Sequence, residues 1–134
     1  MKTSLIKYQG NLRTEATHLK SGNKLTTDAP TDNKGKGETF SPTDLLATSL
    51  GACIVTTMAI AAMDHNFIFE GGNIEITKIM GANPRRVIEI IAEVQMPKIN
   101  FTDQQKRLLE HVGLNCPVAK SLNSEIKQTV SFKY

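Results

Sequence analysis

Ser41-Pro42-Thr43-Asp44-Leu45-Leu46-Ala47-Thr48-Ser49-Leu50-Gly51-Ala52-Cys53-Ile54-Val55-Thr56-Thr57-Met58-Ala59-Ile60-Ala61-Ala62-Met63-Asp64 is the stretch whose reading decides the fold. Ser41 is a good N-cap, Pro42 suits the first helical position, and Asp44 stands where a capping box carries Glu or Gln. A helix is expected to start there and run to about Asp64. From Leu45 to Met63, 19 residues in a row carry no charge, close to the roughly 20 that cross a bilayer. A membrane span is nevertheless not expected. Thr48, Ser49, Gly51, Thr56 and Thr57 dilute the apolar run, its flanks are Asp44 and Asp64, and no Lys, Arg, Trp or Tyr anchors either end. A helix apolar nearly all round reads as the buried central helix of a globular protein. Its small residues, among them Ala47, Ser49, Gly51, Ala52, Ala59, Ala61 and Ala62, admit close neighbours. Cys53 sits near its middle.

Upstream, the first thirty residues read as a β-meander. Ile6 to Thr17 holds strand formers, Lys20-Ser21-Gly22-Asn23 signals a turn, and Lys24 to Thr27 is a short strand. Asp28 to Thr39, with Lys34-Gly35-Lys36-Gly37 at its centre, reads as an exposed loop. It lacks the Gly-Lys-Ser/Thr of a phosphate loop. Downstream, Gly71-Gly72 breaks the chain. Asn73 to Met80 and Val87 to Met96 form an antiparallel hairpin across Gly81-Ala82-Asn83-Pro84, with Ile88, Ile90, Ala92, Val94 and Met96 expected on one face. Thr102 or Asp103 caps a second helix, which Gly113 is expected to stop. Asn115-Cys116-Pro117 opens a short helix to about Leu122, and Glu125 to Phe132 is a last strand. The fold class is α+β, in one domain spanning residues 1–134.

Composition narrows the function. Apolar residues are 40% and charged residues 22%, with a net charge of +3 and no basic run, so nucleic acid is not an expected partner. Tryptophan is absent and aromatics are 5%, which argues against a base-stacking platform. Met1-Lys2-Thr3-Ser4-Leu5-Ile6-Lys7 is no secretory signal, and a cytoplasmic location with reduced thiols is expected. Two cysteines are too few for a zinc site of their own, and no His stands at ligand spacing, so neither metal nor cofactor is expected.

The chemistry rests on those cysteines. Cys116, just before Pro117, falls at a helix N-terminus, where unpaired N–H groups and the helix dipole lower a thiol pKa. Cys53 lies mid-helix among apolar residues, where burial makes a thiol inert unless a cation or donor reaches it. Two inert buried thiols and one reactive pair are both compatible with the spacing. His18, His65 and His111 are scattered, Glu38, Asp44 and Glu70 form no paired-carboxylate pattern, and Arg85-Arg86 falls in a hairpin turn.

Ser41-Pro42-Thr43-Asp44-Leu45-Leu46-Ala47 followed by Leu50-Gly51-Ala52-Cys53 resembles the central helix of the OsmC/Ohr family of osmotically induced and organic hydroperoxide resistance proteins. Leu114-Asn115-Cys116-Pro117-Val118 resembles its second cysteine segment, and the order of elements matches over essentially the whole chain. The resemblance implies an OsmC/Ohr-like fold, an intertwined homodimer, and cysteine-based thiol peroxidase chemistry on organic hydroperoxides or hydrogen peroxide. Carried onto this chain, Cys53 becomes a sulfenic acid, Cys116 resolves it to a disulfide, and a dithiol reductant restores both thiols. In the family's proven peroxidases an Arg activates the first cysteine and a Glu holds that Arg. Thr43 occupies the Glu position here, with Asp44 beside it. Arg13 is the only Arg upstream of the helix. Arg13 and Asp44 are therefore the candidate activating and holding residues, and the pattern is nearer the family's less characterised OsmC-like branch. The alternative is a non-catalytic dimeric stress or small-ligand-binding protein that keeps the fold, with an apolar pocket near the cysteines.

Overall fold

A computed structural model describes every residue, Met1–Tyr134. The chain divides into two compact units, Met1–Leu46 and Ala47–Tyr134. The long helix α1, Pro42–Asp64, begins in the first and runs through the second.

In the first unit, strands β1 (Ser4–Gly10), β2 (Arg13–His18) and β3 (Lys24–Asp28) form an antiparallel sheet in that order. The meander is as expected, but Ile6 to Thr17 is not one run. It breaks at Asn11 and Leu12, whose φ angles of 54° and 63° make a two-residue turn between Gly10 and Arg13. Such turns need positive φ at both central positions, and Leu does not advertise one. The segment after β3 is a tight loop. It contains a single 3₁₀ turn, Thr31–Asn33, and folds back so that the Gly35 amide donates to the Pro30 carbonyl at 2.9 Å and the Gly37 amide to the Ala29 carbonyl at 3.2 Å.

α1 starts as its sequence says it should. The Ser41 amide donates to Asp44 Oδ2 at 2.9 Å, and the Asp44 amide to Ser41 Oγ at 3.0 Å. The two bonds satisfy donors that a bare helix end leaves open, a contribution of about 1 kcal/mol.

In the second unit, β4 (Asn73–Gly81) and β5 (Arg86–Gln95) form the expected antiparallel hairpin, and β6 (Lys127–Lys133) pairs in parallel with β5. Helices α2 (Asp103–Leu114) and α3 (Pro117–Ser121) lie between β5 and β6 in the chain. Leu50, Ile54 and Met58, four residues apart on α1, are buried with Ile90, Ala92 and Val94 of β5 and Leu109 of α2. Each full-sized side chain buried this way contributes roughly 1.5–3 kcal/mol.

Two expectations are corrected here. A bulge between Ile79 and Met80 pairs Met80 with Val87 and Ile79 with Glu89. It shifts the alternation by one residue, so Val87 takes the buried place assigned to Ile88. Gly113 does not stop α2; it is buried in the last turn. A Cβ there would sit 3.3 Å from Ile54 Cγ2 and 3.4 Å from Met58, so glycine serves close packing on α1. Within one chain α1 is not covered on all sides. Ile60 and Met63 are 53% and 76% exposed. Of the two residues expected to cap α2, Thr102 does so, and Gln105 completes a capping box: the Gln105 amide donates to Thr102 Oγ1, and the Thr102 amide to Gln105 Oε1.

Candidate active site

Cys53 and Cys116 are both free thiols, the first half-buried and the second fully buried. Pro117 begins α3 and disfavours helical geometry at the residue before it. Cys116 is accordingly extended, with φ −64° and ψ 158°, as the N-cap of α3. There it neighbours Cys53, whose side chain acts on its titration. One turn along α1 from Cys53, Thr57 Oγ1 lies 3.9 Å from its sulfur.

The α3 N-terminus does not make Cys116 acidic, contrary to the sequence expectation. Burial pushes its pKa up, and the neighbouring Cys53 thiol adds to the rise. The Ala119 and Val118 amides pull the other way and are outweighed. The reason is physical: a one-turn helix offers few aligned dipoles, while removal from water disfavours the thiolate in full. Cys116 is therefore a protonated thiol at neutral pH.

Arg13 belongs to a different cluster. Its Nε donates to Asp28 Oδ1 at 2.7 Å and its Nη2 to Asp28 Oδ2 at 2.8 Å, and Glu38 Oε1 lies 3.7 Å from Nη2. The Asp28 side chain is 1% exposed and also accepts from the Glu38 amide at 3.1 Å. The Arg13 hydrogen bonds hold the Asp28 carboxyl below the usual carboxylate range, helped by the Glu38 amide and the Lys36 charge, against the opposing effect of burial. Because the folded pKa is lowered, the stabilisation is present at neutral pH and is lost as pH falls through that lowered value. Asp44 is bonded to Ser41, and Thr43 Oγ1 lies 3.2 Å from Ser41 Oγ.

The structure thus joins Cys53 to Cys116, Arg13 to Asp28 and Glu38, and Asp44 to the helix cap. Asp28 is the residue that the sequence reading missed. A signal was present: Thr17 pairs with Lys24 across the recognised turn, and that register puts Asp28 opposite Arg13. A groove of about 270 Å³ between α1 and β4 is lined by Thr48, Gly51, Ala52, Val55, Ile74 and Ile76, among others. Neither cysteine lines it, so it is not the apolar pocket beside the thiols that the non-catalytic alternative invoked. No group of three or more His, Cys, Asp or Glu is arranged to hold a metal ion.

The family model for OsmC-like proteins matches residues 35–131. The chain belongs to the OsmC family. A Psychrobacter arcticus protein assigned to the osmotic-stress-induced and detoxification response is 47% identical, with a TM-score of 0.94 over 99% of this chain and 96% of that one. An organic hydroperoxide resistance protein OsmC from Legionella pneumophila has the same fold at 16% identity, TM-score 0.77, covering 100% and 98% of the two chains. OhrB of Bacillus subtilis, an organic hydroperoxide resistance protein, aligns at 13% identity and TM-score 0.66 over 98% of each. No curated protein matches the sequence. The resemblance carried by the two cysteine segments is therefore correct, and the OsmC fold extends over nearly all of the chain.

Proposed function

We propose that this OsmC-like protein is a thiol peroxidase that reduces organic hydroperoxides or hydrogen peroxide, with Cys53 as nucleophile and Cys116 as resolving thiol. The observation that carries this is the asymmetry of the neighbouring pair. Cys53 is part-exposed, while Cys116 is fully buried and held protonated. A peroxide arriving from solvent meets Cys53 first. The Cys53 thiolate attacks one peroxide oxygen, the O–O bond breaks, and the leaving alkoxide takes a proton to become an alcohol. Cys53 is then a sulfenic acid. The Cys116 sulfur attacks it, water leaves carrying the sulfenic oxygen and the thiol proton, and a disulfide forms. A dithiol reductant returns two electrons and two protons and is itself oxidised to a disulfide. The step calls for a donor or cation that favours the thiolate and meets the developing negative charge on the leaving oxygen.

Thiol counting tests this. One equivalent of cumene hydroperoxide is expected to remove both thiols promptly and yield one equivalent of cumyl alcohol. Two thiols that survive excess peroxide would leave the non-catalytic stress or ligand-binding role instead.

The working form is proposed to be a homodimer. α1 is long and apolar enough to cross a membrane, with a mean hydropathy of 1.9. Yet Thr56, Ile60 and Met63 are exposed in the single chain, and a polar-interrupted face of this kind suits a second protein surface better than lipid. Sedimentation at micromolar concentration is expected to give twice the 14.7 kDa chain mass; a well-folded monomer would overturn the proposal. A soluble cytoplasmic location, with neither nucleic acid nor membrane as partner, completes it.

A further inference from the structure

Thr57 is a polar residue in the apolar middle of α1, and helix formation does not call for it. A β-branched hydroxyl residue loses side-chain freedom in a helix interior. The Cα–Cβ bonds of an α-helix tilt toward its N-terminus, so the side chain at position 57 leans over the residue four before it. That residue is Cys53. The Thr57 hydroxyl oxygen lies 3.9 Å from the Cys53 sulfur, and this sulfur is the partner that the structure gives it. Both residues are half-buried. Peroxide can therefore reach the sulfur, while water competes less for the contact than it would on an open surface. The charge on the sulfur decides the direction of the bond. A thiol can donate to the hydroxyl or accept from it, whereas a thiolate can only accept. Hydrogen bonds to an ionised acceptor are also the stronger kind. The contact thus favours the charged sulfur over the neutral one.

We propose that the Thr57 hydroxyl is the hydrogen-bond donor that holds the Cys53 thiolate for attack on the peroxide. This deepens the peroxidase function given above and rests on it. The hydroxyl keeps its proton throughout, and the electron pair that attacks the peroxide oxygen is the sulfur's own. Such a donor has two opposed effects. It raises the share of Cys53 present as thiolate, and it makes each thiolate a weaker nucleophile. The second effect is the smaller, because nucleophilicity follows thiol basicity with a slope of only about 0.4–0.5. The donor therefore speeds attack where the thiolate is scarce and slows it where the thiol is fully ionised.

That crossover is the test. Thr57→Val keeps the shape and removes the donor, and Thr57→Ser keeps the donor. Both are made in the full chain. One readout is the pH profile of alkylation by iodoacetamide, followed on the Cys53 peptide by mass spectrometry so that Cys116 does not enter. Thr57→Val is expected to move the midpoint of that profile up by about 0.5–1 pH unit, the scale of one hydrogen bond to a half-exposed charge. Above the midpoint its alkylation rate is expected to rise about two- to threefold, since the freed thiolate is the stronger nucleophile. At pH 7 its first-turnover reduction of cumene hydroperoxide is expected to slow about two- to threefold, because the lost thiolate share outweighs that gain. Thr57→Ser is expected to restore most of all three. A purely structural contact would scale the rate at every pH and leave the midpoint where it was. A folded Thr57→Val protein with the wild-type midpoint would overturn the proposal, as would an equal shift in Thr57→Ser. Should Thr57→Val fail to fold, Thr57→Ala takes its place, and a wild-type midpoint there would overturn the proposal too. Failure of the peroxidase function looks different: the wild type would then consume no peroxide at Cys53, while the midpoint in Thr57→Val would still decide whether the hydroxyl holds the thiolate.

Discussion

Cys53→Ser is expected to abolish peroxide-driven thiol loss, leaving Cys116 unoxidised in excess cumene hydroperoxide. The drop in rate should be on the order of a thousandfold or more, the scale that accompanies removal of a covalent nucleophile. The argument rests on what remains. With Cys53 gone, the one thiol left is fully buried and pushed toward its protonated form by burial, and the thiolate is the species that attacks an O–O bond. Cys116→Ser should behave differently. Its Cys53 thiol should still disappear at close to the wild-type rate in the first turnover, because the nucleophile is intact. No disulfide can follow, so a sulfenic acid should accumulate, be trapped by dimedone, and pass to sulfinic acid as peroxide is added. Together the two variants separate attack from resolution. Loss of the Cys116 thiol at the wild-type rate in Cys53→Ser would reverse the roles and make Cys116 the nucleophile.

Those roles show where the sequence was legible. The two cysteine segments, the capping box at Ser41–Asp44 and the order of elements were all readable, because caps, alternation and motif spacing are local. The asymmetry between the thiols was not. A helix N-terminus predicts an acidic Cys116, and only the packing of Leu109 and Ile54 in the surrounding core shows that burial wins. Likewise Val87 replaced Ile88 in the core because a one-residue bulge is invisible to a period-two pattern. Gly113 looked like a stop signal when it was a contact. Asp28 was passed over because its meaning lies across the sheet, opposite Arg13, and a residue at the mouth of a polar loop carries no local mark of that partner.

The same loop supplies the second large effect. Gly35→Ala is expected to cost about 3 kcal/mol in the stability of the first unit, the upper end of what overpacking costs. A Cβ at Gly35 would lie 1.7 Å from the Ala29 carbonyl oxygen and 2.2 Å from the Ala29 carbonyl carbon. These are backbone atoms, so no side-chain rotation relieves the clash. Ala29 is itself held: its carbonyl accepts from the Gly37 amide and its amide donates to the Leu12 carbonyl at 3.0 Å. The loop must therefore open as a piece. Asp28 and Glu38 flank it, and the Glu38 amide bond to Asp28 should be lost with it. Amide exchange at Gly35, Gly37 and Glu38 is expected to accelerate by about two orders of magnitude, as a local opening cost reduced by roughly 3 kcal/mol implies. Gly22→Ala is the control. Gly22 has φ +77° but nothing within 4 Å of a built Cβ, so it loses only the backbone preference, about 1 kcal/mol. Equal exchange rates in Gly35→Ala and wild type would mean that the loop shifts without cost, and that the contact with Ala29 does not hold Asp28 and Glu38 in place.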